Sequence, residues 1–285
     1  GNDSDAAPGA SDYHGTAVAG LIAAERDGTG TVGVAYDATI TGFRIFGGAV
    51  TNAELADAFL RHVGLDASSN SWGYGGYLYD DFNSPLFAGV GAAIDTAVTQ
   101  GRDGFGNVIL FAAGNSRLEG QDANYHSFQN ARETIAVAAI NDTGNISYYS
   151  TPGAPILVGS PSNGGVSGIT TTDRTGSTGY AGGDYTSTFG GTSAATPITT
   201  GVVALMLEAN ADLGYRDVQE ILAYSARMVD QGDPGWAWNG AGNWNGGALH
   251  TSHDFGFGLV DALAAVRLAE TWDQQSTRAN EYSLS

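Results

Sequence analysis

A serine two positions after a pair of glycines has a setting in this sequence that suits chemistry. Ser193 lies in residues 190–197, which read GGTSAATP, and the apolar residues that follow predict a helix. Pro197 lies early in this helix, where its missing N–H costs little. Because free N–H groups and the positive end of a helix dipole stabilise negative charge, Ser193 stands where an enzyme would place a nucleophilic serine. A serine that only caps a core helix is the alternative interpretation.

Two other polar residues, in separate loops, complete a set that acyl transfer requires. His14 begins an apolar helical pattern, and Asn115 ends the segment FAAGN after a run typical of a buried strand. A histidine base takes the serine proton, and an amide donor, together with the Ser193 N–H, stabilises the tetrahedral oxyanion. Taken singly, the histidine reads as a surface or capping residue and the asparagine as turn chemistry. Only the combination predicts catalysis.

Strand and helix patterns alternate along the chain and must position these residues. Apolar runs at residues 108–113 and 134–140 predict buried parallel strands. Besides the helices at His14 and Ser193, the patterns predict a short strand at 68–73, one or two strands at 32–46, and helices at 52–63, 86–99, 215–228 and 258–272. This alternation predicts an α/β fold, in which a mostly parallel sheet has helices on both faces. Sites in such sheets lie at the carboxyl ends of the strands, here in the loops after Asn70 and Phe111.

The composition bounds the partners and the compartment. The chain has 285 residues, 30 acidic and 11 basic side chains, and a formal net charge of −19. So acidic a protein argues against nucleic acid or membrane insertion and suits a cation-binding, secreted protein. The absence of cysteine excludes disulfides and thiolate metal sites. We expect one peptidase domain over residues 1–272 and a tail or linker start at 273–285, in a monomeric piece of a longer precursor.

Four segments carry a resemblance to a known family. They are HGTAVAG from His14, SWG at residues 71–73, AAGN ending at Asn115, and GTSAATP around Ser193. In this order they resemble the subtilisin-like serine proteases. Five further segments resemble the kexin/furin branch: SDYH at 11–14, LEAN at 207–210, YRDVQ at 215–219, FGFGLVDA at 255–262 and ETW at 270–272. The resemblance implies a subtilisin-like three-layer fold and a serine endopeptidase that forms an acyl-enzyme.

The resemblance also implies a role for each residue of the site. His14 is the general base, Ser193 the nucleophile and Asn115 the oxyanion donor, and the substrate is a peptide or protein. The residues implied to bind the substrate are Ser71, Trp72, Gly73, Ala113 and Gly114. A non-catalytic scaffold with a protease fold remains the alternative. An esterase of the α/β-hydrolase type is disfavoured, because that class has a GxSxG signature and a histidine that follows the serine.

The aspartate that orients the histidine in this family has no counterpart in the sequence. In the family it lies on an earlier strand, and Asp12 is too close along the backbone to turn onto the His14 ring. Asp3 and Asp5 lie in a polar loop with no strand pattern behind them. We expect the aspartate to lie upstream of residue 1. This chain alone would then be nearly inactive, because losing the carboxylate's role costs about ten-thousandfold in turnover in a well-studied serine protease.

A short acidic loop after the first helix resembles the high-affinity calcium loop of subtilisins. It reads ERDGTGT and begins at Glu25. Ca²⁺ prefers hard oxygen ligands, and the resemblance implies a structural Ca²⁺ bound by the Asp27 side chain and by the carbonyls of Glu25, Thr29 and Thr31. A plain acidic turn is the alternative interpretation.

Three positions depart from the acidic substrate pockets of the kexin/furin branch. Ser11 and His126 stand where acids would line the second and first pockets, and Thr151 replaces a calcium-binding glutamate. These departures argue against a preference for paired basic residues, although Asp80 and Asp81 could restore acidity.

Overall fold

The helices of the protein follow the predicted patterns closely. The computed structural model describes residues 6–9, 11–46, 48–238, 240 and 249–282; the acidic loop with Asp3 and Asp5 lies outside these ranges. The helices are α1 (His14–Ala23), α2 (Asn52–Leu60), α3 (Ala88–Gln100), α4 (Ser127–Asn130), α5 (Thr192–Ala209), α6 (Tyr215–Ser225) and α7 (Ala262–Glu270). Over the described ranges, none of these helices has both the length and the apolar character that crossing a bilayer requires.

A parallel sheet forms the centre of the fold. The strands are β1 (Ala67–Asn70), β2 (Val108–Ala112), β3 (Thr134–Ile140), β4 (Ile156–Pro161), β5 (Ile169–Thr172), β6 (Tyr185–Phe189), β7 (Ala237–Trp238) and β8 (His250–Thr251). The first four pair in chain order, all parallel, and the others form two antiparallel pairs. Every residue of β2 and β3 is buried, as continuous apolar runs predict for parallel strands covered on both faces.

Helix α5 lies against all four parallel strands and also packs on α1 and α7. Its buried side chains are mostly small, so the helix approaches its neighbours closely. A Cβ at Gly201 would lie 2.6 Å from the Cβ of Val34. On β2, the ring of Phe111 contacts Phe59 of α2 and Phe128 of α4, with ring centroids 6.2 and 5.2 Å away. The predicted α/β sheet flanked by helices is confirmed.

The prediction of one or two strands at residues 32–46 is wrong. In the structure this segment is turn and irregular backbone, and several of its apolar side chains are exposed, among them Val32, Ile40 and Phe46. A parallel strand needs a neighbour for its N–H and C=O groups. Residues 36–46 instead face β1 across a cavity of about 2010 Å³, which we call the strand-edge cavity; its lining includes His14, Ser71 and all of β1. In the described sheet β1 is an edge strand.

Residues beyond the predicted boundary at 272 contact the domain. The Ser276 N–H donates to Asp217 Oδ2 at 2.9 Å, and Tyr215 Oη donates to Glu281 Oε1 at 2.9 Å. Arg278 forms an ion pair with Asp95 of α3 at 2.9 Å. The N-terminal turn of α6 and the exposed side of α3 are therefore connected to the segment 273–282, whose status as a tail stays a prediction.

A buried histidine between two aromatic rings makes the fold sensitive to acid. The His62 ring lies 5.1 Å from the ring of Phe43 and 5.0 Å from that of Phe59, and its Nδ1 has no hydrogen-bond partner among the described residues. Burial lowers the pKa of His62 from 6.5 to about 4. The unfolded chain therefore binds a proton more readily than the folded chain between these two values.

The substitution His62→Gln should flatten the acid side of the stability profile. As the pH falls from 6.5 to about 4, the wild type loses up to about 3 kcal/mol through this group, and the loss is complete below about pH 4. Urea unfolding at about pH 7 and about pH 4 measures the difference for both proteins. Equal losses in the two proteins would contradict the burial of a neutral His62.

Candidate active site

Hydrogen bonds to the N–H and to the carbonyl of Gly191 fix the turn before α5. Gly191 has a φ of 75°, a region that favours glycine, so the chain reverses sharply before the helix begins. The Gly191 N–H lies 3.1 Å from both Tyr149 Oη and Asn163 Oδ1, and the Gly191 carbonyl accepts from Ser162 Oγ at 2.7 Å. These contacts hold the start of α5, and with it Ser193, in one position.

Ser71 contacts the backbone of Ser193 because of a proline. Pro197 has no N–H, so the carbonyl of Ser193, four positions earlier, has no partner within the helix. Ser71 Oγ donates to this carbonyl at 3.0 Å, and Ser193 Oγ lies 3.5 Å from the Ser71 carbonyl. The sequence suggested that the missing N–H of Pro197 costs little. In the structure it leaves the Ser193 carbonyl without a partner in the helix, and Ser71 in the loop after β1 supplies the hydrogen bond instead.

Thr192 connects the predicted oxyanion donor to the predicted nucleophile. Asn115 Oδ1 accepts from the Thr192 N–H at 2.8 Å and from Thr192 Oγ1 at 3.0 Å. The Gly114 N–H donates to the same hydroxyl at 3.2 Å. With Oδ1 occupied, Asn115 Nδ2 is the end of this exposed side chain that can donate to a ligand. The Ser193 N–H, near the start of α5, has no acceptor within the helix by position.

Because Gly114 has no side chain, its loop can lie close to Thr151. The φ of Gly114 is 107°, and a Cβ there would lie 2.8 Å from Thr151 Oγ1. Thr151 is buried, and its hydroxyl accepts from the Ser116 N–H at 3.0 Å. Thr151 thus supports the loop that carries Asn115.

His14 is the first residue of α1 and is packed against the strand that leads into α5. Its ring meets Phe189 of β6 edge to face, with centroids 5.6 Å apart. Burial lowers the pKa of His14 below 6.5, which favours the neutral imidazole that a general base requires. Within the described ranges no carboxylate bonds to this ring; Asp12 instead accepts from the Gly9 N–H and from Arg44 Nε.

The loops after β1 and β2 meet around a second cavity, of about 260 Å³, which we call the specificity cavity. The parallel register sets Asn70 beside Phe111, so both strands end at the same edge. The predicted site residues in its lining are Ser71, Trp72, Gly73, Ala113, Gly114, Asn115 and Ser193. His14 lines the strand-edge cavity instead, and Ser71 and Trp72 border both cavities. Residues 71–73 follow β1 without a strand partner in the described chain.

Sequence reasoning assigned no role to Thr192, Tyr149, Ser162 or Asn163, although all four fix the turn of the nucleophile. The position of Thr192 between Gly191 and Ser193 was the one available signal. The others act across the fold, and no local pattern marks them.

The predicted calcium loop is exposed and rich in oxygen donors. Asp27 Oδ1 accepts from the Thr29 N–H at 2.8 Å, which leaves the other carboxylate oxygen open. Gly28 and Gly30 have φ values of 86° and 67°, so the backbone turns repeatedly here. No group of three or more acidic or histidine side chains suited to a metal occurs in the described part of the chain. A site here would rest on Asp27 and backbone carbonyls, including those of Glu25 and Thr31, and this donor chemistry fits Ca²⁺.

Comparison with known families gives this geometry a context. The Subtilase family matches residues 1–258 of the chain. The chain belongs to the subtilase family. This confirms the resemblance that the segments around His14, Asn115 and Ser193 indicated, and it makes the domain a serine-type peptidase by family.

Curated proteases are similar along nearly the whole of this subtilase domain. The calcium-dependent protease of Trichormus variabilis is 39% identical and aligns with 92% of the chain and 41% of its own length. The dibasic-processing endoprotease of Yarrowia lipolytica is 34% identical, with coverages of 99% and 28%. Furin-like protease 1 of Drosophila melanogaster is 33% identical, with coverages of 92% and 23%. The chain thus spans less than half the length of each relative.

Solved structures share the fold. The serine protease of Aeromonas sobria superposes with a TM-score of 0.83 at 24% identity, covering 99% of this chain and 56% of that one. Fervidolysin from Fervidobacterium pennivorans, a keratinolytic enzyme related to subtilisin, superposes with a TM-score of 0.63 at 26% identity, covering 90% and 36%. The predicted subtilisin-like α/β fold is confirmed.

The substitution Ser71→Ala should destabilise the protein by about 1 to 3 kcal/mol, because it leaves the Ser193 carbonyl without a partner. In a Pro197→Ala background the cost should fall, since the restored N–H binds that carbonyl. Urea unfolding of the four proteins measures the coupling. Ser69→Ala is the matched control, because the buried Ser69 hydroxyl has no partner in the described structure and its removal should cost little. A cost for Ser71→Ala that is the same in both backgrounds would contradict the assigned contact.

His14 should titrate below pH 6.5 in this chain, because burial favours its neutral form and no described carboxylate faces it. Ring-proton NMR measures the midpoint, and the variant His14→Gln assigns the resonance. A midpoint above 6.5 would show that a carboxylate already stabilises the charged ring. Because the pKa of His14 is lower in the folded chain than in the unfolded chain, the free energy of unfolding decreases as the pH falls through 6.5.

Proposed function

We propose that this subtilase domain is the catalytic part of a serine endopeptidase. The observation that carries the proposal is the double hydrogen bond from Thr192 to Asn115 Oδ1, which fixes an amide donor beside the helix start that bears Ser193. A hydroxyl, an amide N–H and a cavity for a side chain then share one edge of the sheet, which is the arrangement that acyl transfer to serine uses.

In the proposed reaction an extended peptide lies along residues 71–73, which have no strand partner in the described chain, and bonds to their backbone groups. Ser193 Oγ attacks the carbonyl carbon as His14 takes the hydroxyl proton. The oxyanion receives hydrogen bonds from Asn115 Nδ2 and the Ser193 N–H. His14 then gives the proton to the leaving amine, and water hydrolyses the acyl-enzyme by the same steps in reverse.

The strand-edge cavity supports the proposal that an aspartate is supplied from outside this chain. The cavity runs along the unpaired edge of β1 and reaches His14 and Ser71 at the carboxyl end of that strand. A further parallel strand beside β1 would satisfy this edge and end near the His14 ring. We therefore propose that an upstream segment fills the cavity and provides the carboxylate, and that the chain without it turns over slowly.

A fluorophosphonate probe tests the function. In a protein extended upstream to include the proposed segment, the probe should label Ser193, and Ser193→Ala should abolish labelling. Asn115→Ala should slow peptide hydrolysis by about a hundredfold to a thousandfold, because one oxyanion donor is lost. The chain of residues 1–285 should react far more slowly than the extended protein.

Absence of labelling at Ser193 in a folded, extended protein would contradict the proposed function. A scaffold that keeps the protease fold would then be the better description, and replacing His14 or Ser193 would leave its partner binding unchanged.

A structural Ca²⁺ is the proposed ligand of the loop that contains Asp27, with the carbonyls of Glu25, Thr29 and Thr31. The exposed carboxylate, the turns at Gly28 and Gly30 and the name of the Trichormus variabilis relative support this proposal. Such an ion would stabilise the folded state through binding linkage and would take no part in the chemistry.

Calcium should raise the melting temperature of the protein, and Asp27→Asn should remove most of that rise. At a Ca²⁺ concentration of about a hundred times Kd the expected stabilisation is about 2.7 kcal/mol. A thermal melt with and without calcium measures it, with Mg²⁺ as the ion control. A melt that calcium does not shift would remove Glu25, Asp27, Thr29 and Thr31 as a metal site.

The substrate, the compartment and the oligomeric state of the enzyme are also proposed. We propose that the substrate is a peptide or protein, and that the enzyme acts outside the cell as a monomer within a longer precursor. The net charge of −19 accords with a secreted, calcium-binding enzyme, and the longer relatives accord with a precursor.

A further inference from the structure

A buried pair of hydrogen-bonded side chains, His126 and Asp80, closes one side of the specificity cavity. His126 lines the cavity and is 6% exposed, and Asp80 behind it has no exposed surface. His126 Nδ1 lies 2.7 Å from Asp80 Oδ1, and the second carboxylate oxygen is 3.4 Å from the Phe128 N–H. The carboxylate that could have made this cavity acidic is therefore already bound.

The hydrogen-bond pattern holds the His126 ring over Asp80. Gln121 Nε2 donates to the Gly75 carbonyl at 3.1 Å, which directs Gln121 Oε1 towards His126 Nε2 at 3.3 Å. Both oxygens of the buried Asp80 carboxylate are engaged, one by the His126 ring and one by the Phe128 N–H. This wall of the cavity therefore presents no free carboxylate oxygen to a substrate side chain.

A second lining residue, Gln129, carries a buried acceptor without a partner in the described part of the chain. Gln129 is 4% exposed, and its Nε2 donates to the Ala112 carbonyl at 2.9 Å. Gln129 Oε1 is buried and has no partner within the described chain. A buried acceptor left without a donor costs free energy that a ligand N–H or O–H recovers on binding.

We propose, on the basis of the proposed function, that the specificity cavity takes an uncharged substrate side chain that carries a hydrogen-bond donor, such as that of glutamine. Because the cavity borders both Ser193 and Asn115, this side chain belongs to the residue whose carbonyl is attacked. Gln129 Oε1 accepts from it. The His126–Asp80 pair excludes basic side chains, since it offers no free carboxylate oxygen to replace their hydration.

The cavity discriminates against three other classes of side chain. A lysine or arginine loses its hydration without meeting a free carboxylate. A glutamate places a second acceptor against Gln129 Oε1. An apolar chain of the same length, such as methionine, leaves that oxygen unpaired, which is the kind of loss that hydrogen-bonding sites penalise strongly.

Peptide anilides that differ only in the residue before the scissile bond test the proposal. The upstream-extended protein would be assayed with glutamine, methionine and lysine at that position. We expect kcat/KM for glutamine to exceed that for methionine by about tenfold, and that for lysine by about tenfold or more. Equal or faster cleavage after lysine would overturn the proposal while leaving the proposed function standing.

A single and a double variant separate the effect of the Asp80 charge from the effect of the cavity shape. His126→Gln removes the ring that engages Asp80 Oδ1 and separates the carboxylate from the cavity, so the ratio of lysine to glutamine cleavage should rise by at least about tenfold. Adding Asp80→Asn to His126→Gln removes the charge and should return the ratio to within about threefold of the wild type. An unchanged ratio in a folded His126→Gln protein, checked by its thermal melt, would overturn the role of the pair.

The order of kcat/KM for the three anilides in the wild-type protein tests the proposal even if the variants do not fold. If the extended protein neither cleaves any of the three anilides nor reacts with the fluorophosphonate, the proposed function fails and this proposal fails with it. Labelling at Ser193 together with a preference for methionine would overturn the role of Gln129 alone.

Discussion

Thr192 is the residue on which the arrangement of the site depends. Its N–H and hydroxyl bind one oxygen of Asn115, and its hydroxyl also accepts from the Gly114 N–H. The end of β2 is thereby fixed to the start of α5, two elements distant in sequence. Because the helix packs along the whole parallel sheet, the position of the Ser193 hydroxyl relative to the amide donor is set by the core.

The elements with strong periodic patterns could be predicted from the sequence. The apolar runs became β2 and β3, and their parallel pairing brought the loops after Asn70 and Phe111 together, as the rule for carboxyl ends requires. The helix at Ser193 could be predicted because a glycine turn precedes a long apolar pattern. Local signals sufficed wherever one segment determined its own conformation.

Contacts between distant segments could not be predicted in this way. Residues 32–46 have a strand-like pattern, but a strand forms only beside a partner, and the strand-edge cavity separates this segment from the edge strand β1. The role of Ser71 follows from the N–H that Pro197 lacks, which matters only when the two loops meet. Likewise His126 reads in sequence as a replaced acid, and only the fold shows that its ring engages Asp80.

A crystal structure of the upstream-extended protein with a peptide phosphonate ending in glutamine tests the central claim most directly. The account predicts a covalent bond between phosphorus and Ser193 Oγ, with a phosphoryl oxygen within hydrogen-bond distance of Asn115 Nδ2 and the Ser193 N–H. It also predicts the glutamine side chain beside Gln129 and a carboxylate on His14 from the added segment. A phosphonate bound elsewhere, or an oxygen that faces away from Asn115, would contradict it.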